Sequence, residues 1–120
     1  MTKNFLIVDD SMVSRMMTKS ILASLQPGWT VFEAASGQAA IETCREHPID
    51  LISMDLNMPG ISGLEAATVI RQEYPGIKIV MLTANIQSAI QEQIQALGLP
   101  FLAKPITADK GPALLQALGQ

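Results

Sequence analysis

The chain has 120 residues, of which 48% are hydrophobic and 16% are charged, and its formal net charge at pH 7 is −3. It is too apolar for a disordered regulator and too often interrupted by polar residues for a membrane span. Eight scattered Lys and Arg residues form no basic stripe, so direct nucleic-acid binding is not expected. We expect one domain over residues 1–120, and no secretory signal directs it out of the cytoplasm.

Short β-rich runs alternate with longer segments of helical period, which predicts a parallel sheet with crossover helices. Strands are expected at residues 5–8, 29–35, 49–54, 77–82 and 100–103. Helices are expected at residues 11–25, after Gly37, at 64–74, and in a fourth segment marked by Ile86, Ile90, Ile94 and Leu97 and ended by Gly98. The sequence therefore predicts an α/β fold, a doubly wound five-stranded parallel sheet with helices on both faces.

Three helices carry more detailed predictions. In the first, Val13, Met17 and Ile21 lie four residues apart and mark an apolar face, and we interpret the methionines of this helix as core and surface. The single cysteine, Cys44, falls on the apolar face of the second helix and is interpreted as a core residue. The segment at the C-terminus contains Gly111 and Pro112, which should interrupt any helix begun at Thr107, so a short last helix at about 112–118 is expected.

Polar residues follow four of the predicted strands: Asp9 and Asp10 the first, Asp55 the third, Thr83 the fourth and Lys104 the fifth. The carboxyl ends of parallel strands meet at one edge of a sheet, where ligands bind. Three carboxylates there would repel by roughly 3 kcal/mol per pair at about 5 Å and an effective dielectric near 20. Lys104 offsets one charge, and the remaining two match a divalent ion with oxygen ligands, for which magnesium is suited. The set indicates a magnesium-assisted phosphoryl site.

These residues, as arranged, resemble the receiver domains of bacterial response regulators over about residues 4–105. The motifs that carry the resemblance are the pair Asp9-Asp10, the segment 55–60 followed by Gly63, the pair Thr83-Ala84 and the pair Lys104-Pro105. Residues 10–15 further resemble the opening of stand-alone, chemotaxis-type regulators. The resemblance implies a flavodoxin-like strand order of 2-1-3-4-5.

The resemblance also implies roles for single residues around a bound Mg²⁺ ion. Asp55 would accept the phosphoryl group, Asp10 and Asp55 would bind the metal directly, Asp9 would help through water, and Asn57 would contribute its backbone carbonyl. The phosphoryl group would be bound by Thr83, Ala84 and Lys104. Thr83 and Phe101 would form the switch, and the peptide bond before Pro105 would be cis.

By the same resemblance, the partners would be a sensor histidine kinase or a histidine phosphotransfer protein, and a downstream protein contacting the fourth helix and last strand. The chain would be a monomer that contacts neither nucleic acid nor membrane. Its own catalysis would be limited to phosphoryl transfer to and from Asp55.

Three alternatives stand beside this interpretation. A magnesium-dependent phosphohydrolase with an aspartyl-phosphate intermediate resembles the same site, but such enzymes generally place a second aspartate where this chain has Asn57. A degenerate receiver, acting as a constitutive interaction domain, would not be expected to keep all five polar residues. Taken singly, Asp10 or Ser11 could simply cap the first helix. His47 could be an exposed cap at a helix end.

Overall fold

The computed structural model describes residues 2–84 and 87–120. Its five parallel strands are β1 (Asn4–Val8), β2 (Thr30–Ala34), β3 (Leu51–Asp55), β4 (Lys78–Thr83) and β5 (Phe101–Ala103). They form one sheet in the order β2-β1-β3-β4-β5, which confirms the predicted doubly wound, flavodoxin-like topology. Because β1 lies between two strands and has helices on both faces, its apolar run from Phe5 to Val8 is at most 1% exposed.

The helices are α1 (Met12–Leu25), α2 (Gly37–Glu46), α3 (Gly63–Glu73), α4 (Ser88–Ala96) and α5 (Gly111–Ala117), with a short 3-10 helix at Ala108–Lys110. Ser11, Ser36 and Ser62 cap α1, α2 and α3, because each side chain accepts a hydrogen bond from a backbone N–H in the first turn. Asn85 and Ile86, which were predicted to begin the fourth helix, lie outside the described residues.

The core has two layers, one on each face of the sheet. On one face, Leu6, Ile52 and Met81 lie in a cluster that includes Ala40 and Ile41 of α2, Ile70 of α3 and Ile94 of α4. On the other, Phe5, Leu51 and Val80 pack with Leu22 of α1 and with Leu114 and Leu115 of α5. Trp29 lies beside this second layer, at the edge where the strands begin, and its ring stacks on Phe5 with the centroids 6.4 Å apart.

The buried face of α1 differs from the prediction. Val13 is 66% exposed and Met17 is 39% exposed, whereas Ile21 is buried as expected. The reason lies in α5, which has only seven residues and packs against the C-terminal half of α1. The N-terminal half instead lines an open cavity of about 430 Å³, with residues 106–108 on its other side.

The interruption predicted at Gly111 and Pro112 is confirmed. The 3-10 helix ends at Lys110, α5 begins at Gly111, and Pro112 occupies its first turn, where a missing N–H costs nothing. A Cβ at Gly111 would lie 2.6 Å from Cδ1 of Leu25. Glycine therefore permits the close approach of α5 to α1.

Candidate functional site

The predicted site residues lie at the edge of the sheet formed by the carboxyl ends of the strands. Asp9 follows β1 and Lys104 follows β5, while Asp55 and Thr83 are the last residues of β3 and β4. The last two were expected just past their strands. They belong to them because Asp55 is paired with Leu82, and Thr83 with Ala103, in the parallel ladders.

Asp9, Asp10 and Asp55 form an acidic cluster. Each offers one carboxylate oxygen, and these oxygens all lie within 4.8 Å of one another. Asp9 and Asp55 are buried, and Asp10 lies exposed at the mouth of the cluster. With the charge of Lys104 included, the four side chains carry a net charge of −2 when all are ionised, and the all-oxygen donor set suits a hard divalent cation.

Asp9 is held by hydrogen bonds on both carboxylate oxygens. Its Oδ1 accepts from the backbone N–H of Ser11 at 2.9 Å, and its Oδ2 accepts from Nζ of Lys104 at 2.8 Å. Its backbone carbonyl also accepts from Nη1 of Arg15 at 2.7 Å. Both carboxylate oxygens of Asp9 are therefore held in place by donors within the protein.

Lys104 joins the two buried carboxylates. Its Nζ lies 2.8 Å from Oδ2 of Asp9 and 3.5 Å from Oδ1 of Asp55. Burial lowers the pKa of Lys104, but its hydrogen bond to Asp9 and the charges of both aspartates outweigh burial and raise that pKa above its usual value. The ammonium is therefore charged at neutral pH. The bond between Lys104 and Pro105 is cis, the isomer that the resemblance implied.

Burial is the main reason why the pKa of Asp55 is raised, from 3.8 to about 6. The negative charge of Asp9 adds to this effect, and that of Asp10 adds less. The ammonium of Lys104 and a hydrogen bond from the backbone N–H of Asn57 act in the opposite direction. Asp55 is thus mostly ionised at pH 7, at an energetic cost that a cation bound beside it would reduce.

Gly63 fixes the loop that follows Asp55. Its N–H donates to the carbonyl of Leu56 at 3.0 Å, which closes the loop at the start of α3. A Cβ at Gly63 would lie only 2.0 Å from the backbone oxygen of Asp55, a distance that no side chain can accept. Within this loop Gly60 has φ +83°, a conformation that favours glycine.

The predicted switch residues lie on one face of neighbouring strands. Phe101 is paired with Met81, two residues before Thr83 in β4, so both side chains face the layer of α4. Thr83 is buried at the sheet edge, and Phe101 is partly buried against the core cluster of that layer. The neighbouring Ala84 is exposed.

Sequence reasoning gave no role to two cations near the site. Arg15 holds the carbonyl of Asp9 and pairs with Glu33, whose Oε1 lies 3.1 Å from its Nε. Lys110 donates through Nζ to the carbonyls of Ala103 and Pro105, at 3.2 and 2.9 Å. Nothing in the sequence around a single Lys or Arg indicates that its side chain will donate to a particular backbone carbonyl.

The remaining candidates have structural roles. Cys44 is buried, and burial, with a smaller effect from Glu73, raises the pKa of its thiol to about 11, so it is a core residue as predicted. His47 is exposed at the C-terminal cap of α2, with its ring 4.7 Å from that of Phe32. Among the described residues no helix is long and apolar enough to cross a membrane.

Comparison with known proteins agrees with this architecture. The chain is 39% identical over 112 residues to the chemotaxis protein CheY of Bacillus subtilis, covering 92% of each chain. It is 35% identical over 95 residues to the response regulator UvrY of Escherichia coli, covering 79% of this chain but only 44% of UvrY. The structure of the chemotaxis protein CheY4 of Vibrio cholerae superposes with a TM-score of 0.87 at 29% identity, covering 98% of this chain and 99% of CheY4.

These relatives do not favour the phosphohydrolase alternative. Residues 5–116 match the family model of the response regulator receiver domain. That match spans nearly the whole described sheet and all of the residues at its carboxyl edge. The chain belongs to the response regulator receiver domain family, the phosphorylation-activated modules of two-component signalling.

Proposed function

We propose that Asp55 accepts a phosphoryl group from a phosphohistidine on a partner protein. The observation that carries this proposal is the buried carboxylate of Asp55 with the ammonium of Lys104 at 3.5 Å. A carboxylate oxygen of Asp55 forms a bond to phosphorus as the bond from phosphorus to the histidine nitrogen breaks, and the released imidazole takes up a proton. Lys104 balances negative charge on the transferred group, and the hydroxyl of Thr83 donates a hydrogen bond to one of its oxygens.

A divalent cation, which we propose to be Mg²⁺, completes this site. Asp10 and Asp55 would hold it directly, Asp9 through water, and Asn57 through its backbone carbonyl. When bound, it supplies charge neutralisation on the phosphoryl oxygens. The hydrogen bonds that Asp9 accepts from Ser11 and Lys104 hold its carboxylate beside this proposed ion.

We further propose that residues 1–120 act as one receiver domain whose donor is a sensor histidine kinase or a histidine phosphotransfer protein. Any donor that reaches Asp55 must cover the mouth of the acidic cluster, where Asp10 precedes α1. Met12 and Met16 are exposed in the first turns of that helix. An apolar surface beside the opening supports protein docking there, since large exposed apolar side chains commonly mark interaction sites.

The site suits a phosphoacceptor better than a turnover enzyme. Asn57 occupies the position where the phosphohydrolases carry their second aspartate, and an amide cannot act as general acid or base. In the proposed function, catalysis by this chain is limited to its own phosphorylation and dephosphorylation. Signalling follows when Thr83 moves toward the phosphoryl group and Phe101 turns inward, changing the surface of α4 and β5.

Incubation with acetyl phosphate and Mg²⁺, followed by intact-mass measurement, tests the proposed acceptor. We expect one phosphoryl adduct on the wild-type chain and none on Asp55→Asn, which keeps the side-chain shape without the nucleophilic charge. Asp50→Asn is the matched control, because Asp50 lies before the other end of β3 and its Oδ2 accepts from the N–H of Asn4. A normal adduct on Asp55→Asn would place the acceptor elsewhere, and rapid multiple turnover would favour the hydrolase.

The switch is tested separately with Thr83→Ala and a phosphoryl analogue, beryllofluoride with Mg²⁺. We expect the variant to bind the analogue but to lose the changes in amide exchange that the wild-type chain shows over residues 87–103. Changes of full size in Thr83→Ala would rule out the coupling through Thr83.

A further inference from the structure

Lys110 contacts the segment that carries Lys104. Its Nζ donates to the carbonyl of Ala103 at 3.2 Å and to that of Pro105 at 2.9 Å. These two carbonyls flank Lys104 on either side. One ammonium therefore bridges the carbonyls of the two residues on either side of Lys104, whose side chain reaches Asp9 and Asp55.

The other contacts of Lys104 explain why this bridge matters. Its backbone N–H donates to the carbonyl of Thr83 at 2.9 Å, which fixes the residue to the end of β4. That hydrogen bond holds the backbone of Lys104 just after β5, while the carbonyls of Ala103 and Pro105 accept from Lys110. The two hydrogen bonds from Lys110 hold these carbonyls in place, and so fix the direction in which the Lys104 side chain leaves the backbone.

We propose that Lys110 is a positioning residue for the phosphoryl site, acting through Lys104. It is the last residue of the 3-10 helix and directly precedes α5, at its N-cap position but without a side-chain capping hydrogen bond, so it connects the position of α5 to the segment 103–105. The inference rests on the proposed function, because it assigns Lys110 to the phosphorylation of Asp55. Lys110 itself touches neither Asp55 nor the transferred group in this assignment.

A double-mutant cycle with Lys104 separates positioning from other effects. We expect Lys110→Met to slow phosphorylation by acetyl phosphate about tenfold, the size of a typical coupling within one hydrogen-bond network. In a Lys104→Met background the same change should have less than about a twofold effect, because no ammonium is left to position. Lys110→Arg should restore most of the rate, since a guanidinium can also donate to two carbonyls.

The same cycle can be read without phosphorylation, from the pKa of Asp55 measured by ¹³C NMR titration of its carboxyl group. Lys110→Met should raise this pKa in the wild-type background and leave it unchanged beside Lys104→Met. Lys78→Met is the matched control, because Lys78 is an exposed lysine at the other end of β4, and it should change neither reading.

Equal effects of Lys110→Met in both backgrounds would overturn the proposal, because Lys110 would then act by its own charge or on general stability. No effect in the wild-type background would overturn it as well. If the chain is not phosphorylated at all but the NMR cycle shows the expected coupling, the proposed function fails while the positioning role of Lys110 stands.

Discussion

Replacing Asp55 with Asn should stabilise the metal-free protein by an amount that depends on pH. The native carboxyl has a pKa of about 6, against the ordinary value of 3.8, which we take for the unfolded chain. Between these values the native state keeps a proton that the unfolded state has lost, so stability falls as pH rises through this window. The side chain is 6% exposed, so screening by solvent removes little of the effect. At about 1.4 kcal/mol per tenfold change, the penalty at pH 7.5 is about 3 kcal/mol.

At pH 4 the same relation leaves a penalty of less than about 1 kcal/mol, because the native carboxyl is then protonated and the unfolded one is only partly ionised. Urea unfolding of wild type and Asp55→Asn at the two pH values, followed by circular dichroism with a metal chelator present, measures the difference. The stability that the variant gains over the wild type should grow by about 2 kcal/mol from pH 4 to pH 7.5. A constant advantage, or one that shrinks toward neutral pH, would refute the electrostatic account of Asp55.

Two further predictions concern the same edge of the sheet, and a third concerns the middle of β3. Asp10→Asn should stabilise the metal-free protein by less than about 1 kcal/mol, because like-charge repulsion is relieved but Asp10 is exposed to solvent, and it should abolish the rise in thermal midpoint on adding Mg²⁺; a loss of stability without metal would contradict the repulsion. Gly63→Ala should lower the free energy of unfolding, measured with urea, by more than about 3 kcal/mol, because its Cβ would meet the backbone of Asp55. A small decrease would mean that the loop can shift. Among the described residues the buried hydroxyl of Ser53 lacks a hydrogen-bond partner. Ser53→Ala should therefore raise the free energy of unfolding in urea by about 1 kcal/mol. A lower free energy of unfolding would indicate that a bound water satisfies the hydroxyl.

Sequence reasoning predicted the sheet well because its evidence is local. Apolar runs such as that of β1 and the break at Gly111 depend on neighbouring residues, and the structure has both. The clustering of Asp9, Asp10 and Asp55 followed from a general property of parallel sheets, the shared edge of their carboxyl ends.

The properties that were missed depend on distant parts of the chain. The period of α1 indicates an apolar face, but whether Val13 is covered depends on the length of α5, about a hundred residues later in the sequence. Likewise, the contacts that Arg15 and Lys110 make with the segments of the site are with backbone carbonyls. Such acceptors are present at every residue, so no pattern of side chains could have indicated which ones would be used.

The stacking of Trp29 on Phe5 determines what the intrinsic fluorescence of this protein can report. The indole lies where the strands begin, whereas the aspartates lie where they end, so the core of the sheet separates the fluorophore from the phosphoryl site. Its emission should follow global unfolding and remain almost constant when Asp55 is modified. An optical signal for phosphorylation would need a second indole, and Phe101 offers an aromatic position on the switch surface at which to introduce one.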